Sequence, residues 1–180
     1  MWIHIVFIPT IVMCTLALLQ GAPTTRFLRI GGVAISTPIL VWCLVCAKYL
    51  LVDKKIGMLC LVLGLIGIKI VSTLNGLDEK ENLFGGKLFR FWAILKAVAW
   101  ILQFVGHGVF EKRAPALITN LGFASIAPFF ACFEVVNMLT GYKAEEVKEW
   151  NKVVEADIAA YRQSKGLPMR PGVNIECKDK

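Results

Sequence analysis

Residues 56–74 read Ile56-Gly57-Met58-Leu59-Cys60-Leu61-Val62-Leu63-Gly64-Leu65-Ile66-Gly67-Ile68-Lys69-Ile70-Val71-Ser72-Thr73-Leu74. Lys69 is the only charge in the run, and it stands near the end, where its stem lets the ammonium reach the interface. At about 1.5 Å per residue, the run crosses most of a hydrocarbon core about 30 Å thick. A helix apolar on every side has to be covered by protein or by lipid. Gly57, Gly64 and Gly67 supply small positions where a neighbouring helix can approach closely.

Working outward, four further apolar segments cover about residues 2–20, 31–52, 89–108 and 117–140. Gly21-Ala22-Pro23-Thr24-Thr25 separates the first two with turn chemistry. Asp53-Lys54-Lys55 is so short a connection that the second and third segments must be antiparallel neighbours. Residues 77–87, with Asp78-Glu79-Lys80-Glu81-Asn82 and Gly85-Gly86, read as an aqueous loop, and Glu111-Lys112-Arg113-Ala114-Pro115 divides the last two segments. The composition agrees, with 57% hydrophobic residues and a mean hydropathy of +0.65. Charges are scarce before Gly76 and crowd into the last forty residues.

The expected architecture is therefore an all-α, polytopic membrane helix bundle of four to five apolar segments, with a cytosolic amphipathic C-terminal helix. The bundle occupies residues 1–142; residues 143–180 form the amphipathic helix and a disordered tail. In the C-terminal part Val147, Trp150, Val154 and Ile158 recur at helical spacing among Glu, Lys and Asp. The first segment contains His4 and Pro9, and the fifth contains Asn120, Pro128, Glu134 and Asn137. Five spans, or four spans with one segment folded into the interior, both fit. Met1–Gln20 lacks a basic start and a small-residue cleavage site, so it is expected to stay as a membrane segment. Basic residues tie between the short loops, and the Lys-rich tail tilts the C-terminus towards the cytosol.

The net charge of +7 raises nucleic acid as a partner. The basic residues do not form a stripe with interleaved aromatics, so no nucleic-acid partner is expected; on membrane helices they meet headgroups. Of six cysteines, five lie in apolar segments as small hydrophobes, and Cys43-x-x-Cys46 has no second pair to build a metal site. No nucleophile elbow, phosphate-cradling loop or multi-histidine di-iron cluster is present.

The chemistry-bearing stretch is Gln103-Phe104-Val105-Gly106-His107-Gly108-Val109-Phe110-Glu111-Lys112-Arg113-Ala114-Pro115-Ala116. At about 100° per residue Lys96, Trp100, Gln103 and His107 fall within about 40° of one line, and Glu111 extends it if the helix continues past Gly106 and Gly108. A polar stripe inside an apolar helix is costly unless it faces protein, water or a bound ion. His4 and His107 are the only histidines. Each is read either as a packed residue with a satisfied hydrogen bond or as a ligand in a site shared where the first and fourth segments meet. Two imidazoles and a carboxylate with open positions suit non-haem Fe(II). Glu134 is an intramembrane carboxylate that either ligates metal, relays protons or pairs with Lys96. Lys112 and Arg113 are read as loop charges or as cations that steer an anionic headgroup.

The block Trp100-x-x-Gln103-Phe104-x-Gly106-His107-x-x-Phe110-Glu111-Lys112-Arg113-x-Pro115-Ala116, followed by Asn120, Ala127-Pro128-Phe129-Phe130 and Glu134, resembles the fungal 2-hydroxy fatty acid dioxygenases. Ile3-His4-x-x-Phe7-Ile8-Pro9 is similar to that family's other histidine motif. The resemblance covers about residues 1–142. It implies a multi-pass protein of the endoplasmic-reticulum membrane that acts in the conversion of phytosphingosine to odd-numbered fatty acids. The implied reaction is Fe(II)-dependent oxidation of a 2-hydroxy fatty acid by O₂, giving an acid one carbon shorter and CO₂. His4 and His107 match the histidines expected at the iron, and Glu111 and Glu134 match family positions. Members of the family carry a further Tyr-His upstream, on a leader that precedes the position of Met1 here. A second reading from another class is a non-catalytic lipid-binding or scaffold protein whose metal site is incomplete.

Overall fold

The computed structural model describes residues 2–21, 28–30, 33–82, 85, 87–106, 122–164, 166 and 168. These residues form six helices and one short hairpin: α1 (Trp2–Gly21), β1 (Leu28–Ile30), β2 (Val33–Ile35), α2 (Thr37–Val52), α3 (Lys54–Glu81), α4 (Leu88–Gly106), α5 (Gly122–Thr140) and α6 (Ala144–Ser164). Each of the five apolar segments contains one of these helices. Those of α1, α3 and α4 are long and apolar enough to cross a membrane, whereas α2 and α5 supply shorter apolar helices. The molecule is a membrane-type helix bundle.

Two boundaries differ from the sequence expectation. The second segment does not begin its helix at residue 31, because Val33–Ile35 pairs antiparallel with Leu28–Ile30, setting Leu28 opposite Ile35 and Ile30 opposite Val33. The sequence between the strands is Gly31-Gly32, a composition that two-residue hairpin loops favour. Ser36 keeps extended backbone, and α2 starts only at Thr37, with Pro38 in its first turn where no N–H is needed. The third segment continues through the acidic run placed in a loop, to Glu81. Asp78 explains the extension: its buried carboxylate accepts the Leu88 N–H at 3.3 Å at the start of α4. Asn82 then closes α3 in the left-handed region, φ 51°, and donates its N–H to the Asp78 carbonyl at 3.0 Å.

The first 135 residues form one compact unit. In it α2 and α3 make a hairpin joined by Asp53 alone. The Asp53 N–H bonds the Tyr49 carbonyl at 2.9 Å, ending α2, while its carboxylate accepts the N–H groups of Lys55 and Ile56 at 2.9 and 3.1 Å, starting α3. The glycines expected at helix contacts are there. A Cβ on Gly57 would lie 2.7 Å from the backbone of Tyr49 and Leu50, one on Gly64 would overlap the Trp42 indole, and one on Gly67 would meet the Met13 thioether. Trp42 also donates its Nε1–H to the Leu61 carbonyl at 3.3 Å. Helix α1 lies antiparallel against α4, with Ile3 packed on Gly106. Trp92 of α4 bonds Asn75 of α3 at 3.1 Å.

The outward face of α4 presents Phe91, Ile94, Val98, Ile101 and Val105, and that of α3 presents Met58, Val62, Ile66 and Ile70. Apolar faces of that extent are at home only against lipid or protein. In the second unit, residues 136–180, α6 is a polar helix with Glu145 and Glu146 in its first turn, a Glu145–Lys148 ion pair at 2.7 Å, and Trp150, Val153 and Val154 half exposed. Residues 170–180, expected as a disordered tail, lie outside the described residues.

Candidate functional site

Helices α1, α2, α4 and α5 line a half-open cavity of about 690 Å³ within the first unit. Its walls are mostly apolar, from Ile8, Ile11 and Leu19 of α1, Val41 and Val45 of α2, and Ile126 and Phe130 of α5. Five aromatic side chains stiffen it. Trp42 and Tyr49 meet edge to face at 6.4 Å, Tyr49 and Phe129 pack at 5.5 Å, and Trp100 stacks on Phe104 at 5.6 Å. Tyr49 is buried, and its hydroxyl donates to the Ser125 carbonyl at 2.5 Å, tying α2 to α5.

A few polar groups converge on this apolar space. Of the stripe expected on α4, Lys96, Trp100 and Gln103 line the cavity, joined by His4 and Thr15 from α1 and Glu134 from α5. The sequence made a shared site conditional on the start of α1 meeting the end of α4. The Ile3–Gly106 contact brings those ends together, and His4 and Gln103 border one cavity there. Gln103 is only 5% exposed, and its Oε1 meets no hydrogen-bond donor among the described residues. Lys96 and Glu134 face the same cavity without forming the ion pair that was one expectation for Glu134, as judged among the described residues. Such an arrangement, a large apolar cavity with a small set of convergent polar groups, is that of a small-molecule site.

His107, Glu111, Lys112 and Arg113 lie outside the described residues. Among the described residues no three His, Cys, Asp or Glu side chains cluster closely enough to hold a metal. Of the groups that face the cavity, the His4 imidazole and the Glu134 carboxylate are ligand types that Fe(II) accepts. A full ligand set would draw on a residue beyond Gly106, where His107 follows in the sequence. Of the Cys43-x-x-Cys46 pair, Cys46 is wholly buried and Cys43 is exposed.

Tyr49, Trp42 and Ser125 line the cavity without having been singled out in the sequence. A signal existed for Tyr49, because a phenol in an apolar segment has to find a hydrogen-bond partner. The partner, a backbone carbonyl 76 residues away, is set by tertiary packing.

A family model described as 2-hydroxy-palmitic acid dioxygenase Mpo1-like matches residues 1–139. The 2-hydroxy-palmitic acid dioxygenase MPO1 of Saccharomyces cerevisiae is 35% identical over 133 residues, covering 73% of this chain and 67% of that protein. No solved structure matches the fold. The matched residues include every helix that lines the cavity, and the chain belongs to the Mpo1-like family.

Proposed function

We propose that this chain is an Fe(II)-dependent dioxygenase of 2-hydroxy fatty acids, resident in the endoplasmic-reticulum membrane. It would convert a 2-hydroxy acid and O₂ into the acid one carbon shorter, CO₂ and water. The carrying observation is the cavity itself, an apolar volume with polar groups converging on it, built from the segments that the family shares. Its volume of about 690 Å³ lies in the range of small-molecule sites, about 300–1,000 Å³.

In this reading the alkyl chain lies along Ile8, Ile11, Val41, Val45 and Phe130, where burial of each methylene contributes about 0.8 kcal/mol. The headgroup then stays near His4 and Gln103. His4 and His107 would hold the iron, with Glu134 or Glu111 as the carboxylate. Bound Fe(II) with open positions supplies the activation of O₂. The aromatic wall of Trp42, Tyr49, Trp100 and Phe104 excludes water from the reacting end. Lys112 and Arg113 would draw the acid's carboxylate in from the membrane surface.

The test uses the full chain purified anaerobically in detergent, loaded with Fe(II) and given 2-hydroxyhexadecanoic acid and air. The expected result is about one iron per chain and release of pentadecanoic acid. Iron retention without product would leave a metal-binding lipid protein, and loss of both would leave the non-catalytic alternative.

A further inference from the structure

We propose that Gln103 recognises the 2-hydroxyl group of the substrate, its side-chain oxygen accepting that hydroxyl's hydrogen bond. This inference rests on the dioxygenase reading and adds to it the residue that separates a 2-hydroxy acid from an ordinary fatty acid.

The observation is an acceptor without a donor. Gln103 stands on α4, 5% exposed, and it borders the cavity. Its Oε1 is buried and meets no donor among the described residues. A buried amide oxygen left in that state is destabilising, and such groups are rare in folded proteins unless something else completes them. The hydroxyl of Tyr49, which lines the same cavity, does not supply the proton, since it is already given to the Ser125 carbonyl. Trp100 is stacked on Phe104 beside it, which holds that part of the wall in one arrangement.

The chemistry of the ligand then decides what completes it. A fatty acid at neutral pH brings a carboxylate that only accepts hydrogen bonds and a chain that makes none. A hydroxyl on the second carbon is the one donor such a molecule can offer. An unsubstituted acid in the same place would leave Oε1 bare, so the acceptor discriminates by what the wrong ligand fails to satisfy. Sites built around a substrate hydroxyl reject the analogue lacking it far more strongly than an apolar pocket separates a methylene.

Binding to the iron-loaded full chain, measured without O₂ by equilibrium dialysis of 2-hydroxyhexadecanoic and hexadecanoic acids, reads this directly. Wild-type protein is expected to favour the hydroxy acid, and Gln103→Met, similar in length and with only a weakly accepting thioether in place of the amide, to lower that preference about ten- to a hundred-fold. Affinity for hexadecanoic acid should stay within about twofold, and the melting temperature of the ligand-free variant should hold or rise, because removing an unsatisfied buried acceptor does not weaken a fold. A preference unchanged in Gln103→Met overturns the proposal, as does equal weakening of both acids with a lower melting temperature, which would mark a structural glutamine. Oxygen-dependent CO₂ release by the same wild-type preparation reports separately on the dioxygenase reading. A preference that falls in the variant while the wild type makes no CO₂ would sustain the recognition role and remove the activity.

Discussion

Gly57 and Gly76 both lie on α3, and they differ in what surrounds the missing side chain. A Cβ at Gly57 would sit 2.7 Å from the backbone of α2, whereas one at Gly76 would meet nothing within 4 Å. Gly57→Ala is therefore expected to destabilise the bundle by about 1–3 kcal/mol, through backbone that has to move. Gly76→Ala should be neutral or stabilising by up to about 1 kcal/mol, since alanine restricts the unfolded chain and favours the helix. Thermal unfolding in detergent of the two variants checks the pair. At the site, His4→Ala is expected to leave iron well below one per chain and to lower product release about 100-fold or more, measured by metal analysis and mass spectrometry. The α4 stripe of Lys96, Trp100 and Gln103 was legible because helical spacing places those residues on one line, and the cavity lies along it. The partnering of Tyr49 with Ser125 was not legible, since it depends on how α5 docks rather than on any local pattern.

At the scale of elements, apolar length marks five of the helices and amphipathic spacing the sixth, while two boundaries lie elsewhere than composition suggests. The run from Asp78 to Glu81 looks like a loop by composition, yet Asp78 bonds the first turn of α4 and holds the end of α3 helical. The β1–β2 hairpin was missed because its strands have three residues each, too few for an alternating pattern to stand out beside an apolar segment. Asp53 shows the same economy, ending one helix and starting the next. Asp53→Ala is expected to cost about 1 kcal/mol, which for a chain of this size lowers the melting temperature by about 2–4 °C; Asp53→Asn, which keeps a capping oxygen, should recover most of it.

For the molecule as a whole, packing within the first unit leaves a space that four helices line. If an alkyl chain fills that space, narrowing it should penalise long substrates selectively. Ala127, on the cavity wall, offers such a position. Ala127→Leu is expected to lower kcat/KM for 2-hydroxyhexadecanoic acid about tenfold relative to 2-hydroxyoctanoic acid, from competition between the two acids in one reaction. The most direct measurement gives the iron-loaded protein 2-hydroxyhexadecanoic acid labelled at the carboxyl carbon and follows the gas released. The expected result is labelled CO₂ in equal amount to pentadecanoic acid and to O₂ consumed, and none without O₂. Label retained in the acid, or CO₂ release indifferent to O₂, would contradict the dioxygenase reading.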